Sequence, residues 1–145
     1  MAVDVTTEIE IERPRAEVAA YSIDPATAGT WYENITSSRL ETPLPVVAGS
    51  RIAVEARFLG RTLAYTYVVR EHLPGERIVM AAEDGPFPME TTYEWADTPS
   101  GGTRLTLRNR GRPRGFGRML GPVMEAAVRR ATRRDLARLK AVLEG

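Results

Sequence analysis

Residues 122–144 read PVMEAAVRRATRRDLARLKAVLE, and the rest of the chain is interpreted outward from this stretch. At about 100° per residue its apolar side chains gather on one face, which predicts a long amphipathic helix. Ala, Leu and Arg are good helix formers, and proline is tolerated in a first helical turn, so the helix is expected to begin at Pro122. The apolar face and its margins comprise Met124, Ala127, Val128, Ala131, Leu136, Leu139, Val142 and Leu143.

The sequence before this helix alternates apolar and polar residues in one short segment after another, which is typical of half-buried β-strands. Turn-forming residues separate the later segments, and short turns predict an antiparallel sheet in which each strand lies beside its neighbour in the chain. The predicted strands are residues 3–12, 35–41, 50–59, 62–70, 77–83, 87–96 and 103–109.

Two short helical segments are predicted between the first two strands. Pro14 opens residues 14–24, and Pro25 ends them because a residue before proline avoids the helical region. Residues 25–34 are expected to form a second short helix or turn. The predicted fold class is therefore α+β, with a curved antiparallel sheet of about seven strands wrapped around a long C-terminal helix. Residues 111–121 form a basic, glycine-rich bridge, and a helix that began within it would be kinked by Pro122 near Arg118.

The composition is that of an ordinary globular chain, and residues 1–145 are expected to form one domain. The chain contains no cysteine, which excludes disulfides, thiolate metal sites and a cysteine nucleophile. We find no signal-peptide pattern at the N-terminus and no apolar run approaching about 18 residues, so a cytoplasmic protein without a transmembrane segment is expected.

Charge is distributed unevenly along the chain. Residues 1–100 hold 8 basic and 16 acidic residues, whereas residues 101–145 hold 12 basic and 3 acidic residues. The basic end is suited to phosphates, anionic lipid or an acidic protein partner. Alternatively, its arginines keep an exposed helix face in water and pair with the acidic sheet. No DNA partner is expected, and the absence of aromatics between the helix arginines argues against specific base stacking.

A single helix about 10 Å wide is too narrow to fill the concave face of such a sheet. The remaining space must be packed by large side chains or stay open as a cavity, for which ligand binding would require about 300 Å³ or more. Aromatic residues with polar tips and unbranched methionines suit such an apolar pocket, although the same residues also suit a plain core. The predicted lining is Trp31, Phe58, Tyr65, Tyr67, Met80, Met89, Tyr93, Asn109, Met124 and Val128.

Few residues are candidates for catalysis or for metal binding, and Asp135 is the most informative of them. It falls in the middle of the apolar stripe, where a carboxylate must be paired, for example with Arg138 or Arg57, or have a shifted pKa. His72 is the only histidine of the chain and is predicted in a surface turn, so neither a catalytic triad nor a zinc site is expected. The candidates for proton transfer or carbonyl polarisation are Asp135, Tyr65, Tyr67 and Asn109.

No cofactor is predicted. The glycines and arginines of residues 110–117 do not form a dinucleotide-binding motif, because no strand–turn–helix context surrounds them. They are interpreted as a flexible basic connector, or alternatively as a lip that binds a carboxylate, a phosphate or a carrier-protein surface.

The chain resembles the SRPBCC (START-like, Bet v 1-like) superfamily of helix-grip proteins, and specifically its bacterial polyketide cyclase/dehydrase branch. The features that carry the resemblance follow the family's order over nearly the whole chain: RPRAEVAAYSIDP after the first strand, then Trp31, REHLPGERIVM, DTPSGGTRLTL and the closing RRDLARLKAVLE. The resemblance implies a helix-grip fold with a cavity under the long helix. Members of the superfamily bind lipids, sterols, polyketides or plant hormones there, and some are aromatase/cyclases.

Three functions remain open at this point. The first is binding of a hydrophobic small molecule or lipid between the sheet and the C-terminal helix. The second is polyketide aromatase/cyclase activity, with aldol cyclisation and dehydration. The third is an interaction protein whose basic C-terminal face contacts an acidic partner, as in ribosome-associated relatives. A monomer or homodimer is expected in each case.

Overall fold

A computed structural model describes residues 3–58, 60–82, 88–112 and 121–145. The helical elements in these ranges are α1 (Arg15–Ile23), a 3-10 turn (Pro25–Thr27), α2 (Ala28–Trp31) and α3 (Gly121–Glu144). The strands are β1 (Val3–Ile11), β2 (Ile35–Leu40), β3 (Arg51–Phe58), β4 (Arg61–Leu73), β5 (Arg77–Ala82), β6 (Met89–Asp97) and β7 (Thr103–Gly111). The predicted kink near Arg118 lies outside the described residues.

The strands form one antiparallel sheet in the order β1-β7-β6-β5-β4-β3-β2. This confirms the predicted α+β helix-grip fold, with a curved seven-stranded sheet, two short helices after the first strand and a long C-terminal helix. One expectation was wrong: β1 does not lie beside β2 but pairs with β7, from Val3 opposite Gly111 to Ile11 opposite Thr103. The short helical segments after β1 carry the chain to the far edge of the sheet, so the first two strands occupy opposite edges.

The alternation along the strands separates a buried face from an exposed face. In β1, Val3, Val5 and Ile11 are buried, while the acidic residues between them point outward. On the outer face, arginines of β7 pair with carboxylates of the adjacent strands, as expected for opposite charges on neighbouring strands. These ion pairs are Arg104–Glu10, Arg108–Asp4 and Arg110–Glu90.

Helix α3 packs along the free edge of β1. The Glu125 carboxylate accepts a hydrogen bond from the Asp4 amide at 3.0 Å, and the Glu144 carboxylate accepts one from the Glu12 amide at 2.8 Å. An edge strand presents unpaired backbone groups that favour pairing with other chains. The two glutamates satisfy amides at either end of this edge, so α3 protects the sheet as well as covering its inner face.

The main core lies between the inner face of the sheet, α1 and α3. Trp31, Leu105 and Leu139 are fully buried there. The buried Trp95 Nε1–H donates to Ser22 Oγ at 3.1 Å, and Ser22 in turn donates to the Val18 carbonyl at 2.6 Å. None of the described helices, including the arginine-rich α3, has the length and apolarity that a membrane span requires.

Candidate functional site

A cavity of about 160 Å³ lies between the sheet and α3. Its wall is built from residues of the helical segments after β1, from several strands and from Val128, Ala131, Thr132 and Asp135 of α3. The cavity has about half of the roughly 300 Å³ required for a drug-sized ligand, so the volume that the sequence analysis required for ligand binding is not met. The reason is that large side chains occupy the space beside the helix, chiefly Tyr32, Tyr65, Tyr67 and Tyr93.

The structure brings most of the predicted lining residues together around this cavity. Trp31 and Met124 are exceptions, because both are buried in packed clusters behind the wall and do not line the cavity. Tyr32 occupies the wall instead, and its ring packs on Trp31 with 3.9 Å between centroids. The side chain of Phe58 lies outside the described part of the structure. The predicted residues found on the wall are Tyr65, Tyr67, Met80, Met89, Tyr93, Asn109 and Val128.

A chain of hydrogen bonds crosses the cavity wall from β4 to α3. The Tyr67 hydroxyl lies 3.1 Å from Thr91 Oγ1, Thr91 donates to Asn109 Oδ1 at 2.9 Å, and Asn109 Nδ2 donates to Thr132 Oγ1 at 3.5 Å. Since Thr91 gives its proton to Asn109, the single Tyr67 hydroxyl proton is shared between Thr91 Oγ1 and Met89 Sδ, which lies 3.3 Å away. Burial raises the pKa of Tyr67, so the phenol stays protonated near neutral pH.

Tyr32 and Tyr93 form a second polar contact, in which their two hydroxyl groups are hydrogen-bonded to each other. Burial raises the pKa of both phenols far above the usual value, and the nearby negative charge of Asp135 acts in the same direction. Both rings are therefore neutral across the physiological range. Tyr32 and the helical segments before it could not be assigned to the wall from the sequence, because a four-residue helix has no periodicity to follow. Thr132 was missed although the period of α3 places it one turn from Val128 and Asp135.

Asp135 is buried on the apolar face of α3, as the helical period predicted, with 5% of its surface exposed. Its Oδ1 accepts a hydrogen bond from the Glu33 amide at 3.1 Å. Burial raises the pKa of this carboxyl to about 6, and the Glu33 amide opposes the shift. The predicted ion pair with Arg138 or Arg57 was wrong: within the described residues no arginine lies at ion-pair distance from Asp135, and Arg134 pairs with the Glu33 carboxylate instead.

The other sequence candidates lie away from the cavity. His72 is near the end of β4 rather than in the turn, and its Nδ1 is 2.7 Å from the Val46 carbonyl oxygen. Across the described ranges, no three His, Asp or Glu side chains are grouped so that they could hold a metal ion.

The basic face of α3 does not pair with the acidic sheet in the way the sequence suggested. Within the described part of the chain, ion pairs from this helix's basic residues are Arg134–Glu33 and Lys140–Glu144. Arg129, Arg130 and Arg133 have no ion-pair partner among those residues. Arg110, the first residue of the predicted basic connector, lies in β7 and at the cavity wall, whereas residues 113–120 lie outside the described ranges.

Solved structures with the same fold are numerous and dissimilar in sequence. A START superfamily protein from Mycobacterium smegmatis superposes with a TM-score of 0.85 at 12% identity, over 97% of each chain. The Zhui aromatase/cyclase from Streptomyces sp. R1128 superposes with a TM-score of 0.80 at 16% identity, over 99% of this chain and 94% of that chain. The protein TTHA0849 from Thermus thermophilus gives a TM-score of 0.75 at 18% identity, over 96% of this chain and 98% of that chain. At these identities the likeness concerns the fold.

Among curated proteins, none matches the chain significantly in sequence. A family model, described as polyketide cyclase/dehydrase and lipid transport, matches residues 2–144. This match confirms the resemblance stated from the sequence motifs. Since it spans nearly the whole chain, the protein belongs to the polyketide cyclase/dehydrase and lipid transport family.

Proposed function

We propose that the protein binds a hydrophobic small molecule in the cavity between the sheet and α3. The observation that supports this most directly is the make-up of the wall, where aliphatic and methionine side chains surround a few fixed polar tips. Ligand pockets typically combine an apolar lining with a small number of oriented hydrogen-bonding groups. Here Asn109, Tyr67 and Asp135 are such groups, each held by a hydrogen bond to a neighbouring element.

The size of the cavity limits the ligand. An apolar cavity of about 150 Å³ is known to admit benzene. A cavity of about 160 Å³ therefore has room for a ligand about the size of a single aromatic ring. A lipid chain would need more room. An open surface recess shares Val3, Met89, Arg110 and Gly111 with the cavity wall, so a longer ligand would have to pass the flexible Met89 side chain to reach it. We therefore take a compact ligand as the first expectation and a lipid as the second.

An aromatase/cyclase is the alternative function, and the observation that favours it is the position of Asp135. A carboxyl with a pKa near 6 is matched to proton transfer at neutral pH. The second N–H of Asn109, and the Tyr67 hydroxyl once it exchanges its present acceptors for the substrate, are suited to polarise a ketone. Aldol closure would require Asp135 to take a proton from the carbon between two carbonyls. If Asp135→Asn and the Tyr65→Phe/Tyr67→Phe pair leave turnover of a poly-β-ketone mimic unchanged, these roles are wrong.

The basic face of α3 supports a third function, docking on an acidic partner. Arg130 and Arg133 are exposed, and they lack ion pairs within the described ranges. Binding that arises from such charges weakens steeply with salt. An affinity for ribosomal RNA or an acidic carrier protein that does not change between low and high salt would contradict this function.

Native mass spectrometry of the freshly purified protein, followed by solvent extraction, tests the proposed function. We expect a stoichiometric adduct whose mass identifies a compact apolar compound. Thermal-shift measurements with single-ring compounds and with fatty acids then separate the compact ligand from the lipid. If the purified protein carries no ligand and shows no thermal shift with single-ring compounds or fatty acids, the proposal is wrong. Docking through the basic face of α3 is then the function to test next.

A further inference from the structure

We infer that the cavity takes a small organic cation, namely a protonated amine or an ammonium group on a compact apolar body, held between Asp135 and the tyrosine rings. This inference rests on the proposed function, since it specifies the ligand of the same cavity. Three features of the wall support it: its net negative charge, the acceptor sites of Asp135 that no described residue uses, and its four tyrosines.

The formally charged side chains of the cavity wall sum to a net negative charge. Among its described residues the formally charged side chains are Asp24, Arg110 and Asp135. Asp24 is exposed and accepts a hydrogen bond from the Ala26 amide, and Arg110 is exposed and pairs with Glu90 at 3.0 Å. Arg110 is thus already neutralised, so a carboxylate or phosphate ligand would meet Asp135 without a cation to balance it. A cationic ligand would compensate the buried charge instead.

Asp135 retains capacity to bind such a ligand. An ionised carboxylate accepts about four hydrogen bonds, and the described contact uses one acceptor site on Oδ1. Oδ2 receives no hydrogen bond from the described residues, and it is not among the fully enclosed side-chain atoms that lack a partner, so it remains accessible. An accessible carboxylate oxygen without a protein donor is normally satisfied by water, which a ligand can replace. An ammonium group in the cavity would donate to this oxygen directly.

The tyrosines supply the second attraction. Four of the five tyrosines of the chain lie on this wall, on the α2–β2 connection, β4 and β6. Tyr65 and Tyr67 are arranged edge to face with 5.3 Å between centroids. Cations within about 6 Å of an aromatic ring are attracted by its negative face, and more strongly where water is excluded. Because burial keeps the phenols protonated, they add this attraction without adding charge.

Calorimetric titration with two matched probes tests the inference at pH 7.5. Benzylamine and benzyl alcohol have the same ring and both donate hydrogen bonds, but the amine also carries a positive charge. We expect benzylamine to bind at least about tenfold more tightly. Asp135→Asn keeps the shape and the acceptor for Glu33, and it should weaken benzylamine binding about tenfold. Benzyl alcohol exchanges a charged acceptor for a neutral one without losing an ion pair, so it should lose clearly less affinity. Glu17→Gln, which removes one exposed carboxylate of α1, should change neither affinity.

The wild-type protein gives an independent readout if Asp135→Asn fails to fold. Lowering the pH from 7.5 to 5 protonates Asp135, so benzylamine should lose affinity while benzyl alcohol does not. Equal binding of the two probes overturns the cation inference and leaves the proposed function intact. Binding of neither probe also overturns the cation inference. The proposed function is tested separately, by native mass spectrometry of the purified protein. The charged and titratable groups that face Asp135 are Glu33, Tyr32, Tyr93, Arg134 and Arg138.

Discussion

The carboxyl group of Asp135 has a pKa of about 6 in the folded protein, against an ordinary value of 3.8. The folded state therefore holds this proton more tightly than the unfolded state does, and ionisation opposes folding. The cost is absent below pH 3.8, grows as the pH rises and is complete above pH 6. Two pKa units correspond to about 3 kcal/mol, which is an upper bound for the stability lost over this interval.

Asp135→Asn should remove this dependence on pH. Urea denaturation at pH 4.5 and pH 7.5 measures the free energy of unfolding of both proteins. We expect the variant to gain up to about 2 kcal/mol relative to wild type on going from pH 4.5 to pH 7.5, because part of the cost is already present at pH 4.5. Glu17→Gln, on the exposed face of α1, is the control for removal of a carboxylate. A stability difference between variant and wild type that is the same at both pH values would contradict the assigned burial cost.

Ser22 is the second residue whose removal has a specific consequence. It is 5% exposed and accepts the Trp95 indole hydrogen bond, so Ser22→Ala leaves a buried donor without a partner. The expected loss is about 1–3 kcal/mol of unfolding free energy, measured by urea denaturation. Ser37→Ala, at an exposed position in β2, should cost less than about 0.5 kcal/mol. Equal losses in the two variants would mean that the indole finds another acceptor.

The contrast between Asp135 and Trp31 indicates what could be predicted at the residue scale. The helical period of α3 fixes which way each side chain points, so the burial of Asp135 followed from the sequence. α2 has four residues, from Ala28 to Trp31, and such a short element gives no period. Tertiary packing therefore determines that Tyr32, and not Trp31, lines the cavity, and the local sequence pattern does not predict this.

At the scale of elements, the contact between α3 and β1 predicts a reciprocal pattern of amide exchange. Glu125 accepts from the Asp4 amide and Glu144 from the Glu12 amide. Glu125→Ala should accelerate hydrogen exchange at Asp4 and leave Glu12 unchanged, and Glu144→Ala should do the reverse. NMR of the two variants measures both amides, so each variant is the control for the other. Faster exchange at both amides in either variant would indicate general loosening of the edge instead.

The strands themselves were well predicted because alternation is a local property, and short turns fix the pairing of consecutive strands. The pairing of β1 with β7 was not predicted. These strands are separated by about 90 residues of chain, and nothing in either segment specifies the register Val3 opposite Gly111. That register depends on where the segment from Pro14 to Asn34 delivers the chain, which is a property of the assembled core.

At the scale of the whole molecule, the cavity volume was the least predictable quantity. The sequence indicated a gap beside α3, but the gap is a small difference between the volume enclosed by the sheet and that of the side chains within it. Four tyrosines reduce it to about 160 Å³. Ala131 keeps part of the remaining space open, because it presents a methyl group to the cavity from the middle of α3.

Ala131→Leu should therefore fill the cavity and separate ligand binding from stability. The added carbons enter apolar space, so we expect about 0.5–2 kcal/mol of added unfolding free energy together with loss of the thermal shift produced by single-ring probes. Ala126→Leu makes the same change at an exposed position of α3 and should leave both quantities nearly unchanged. Retained probe binding in a stabilised Ala131→Leu protein would place the ligand outside this cavity, whereas lost binding with lost stability would mean that the space is too tightly bounded to accept a larger side chain.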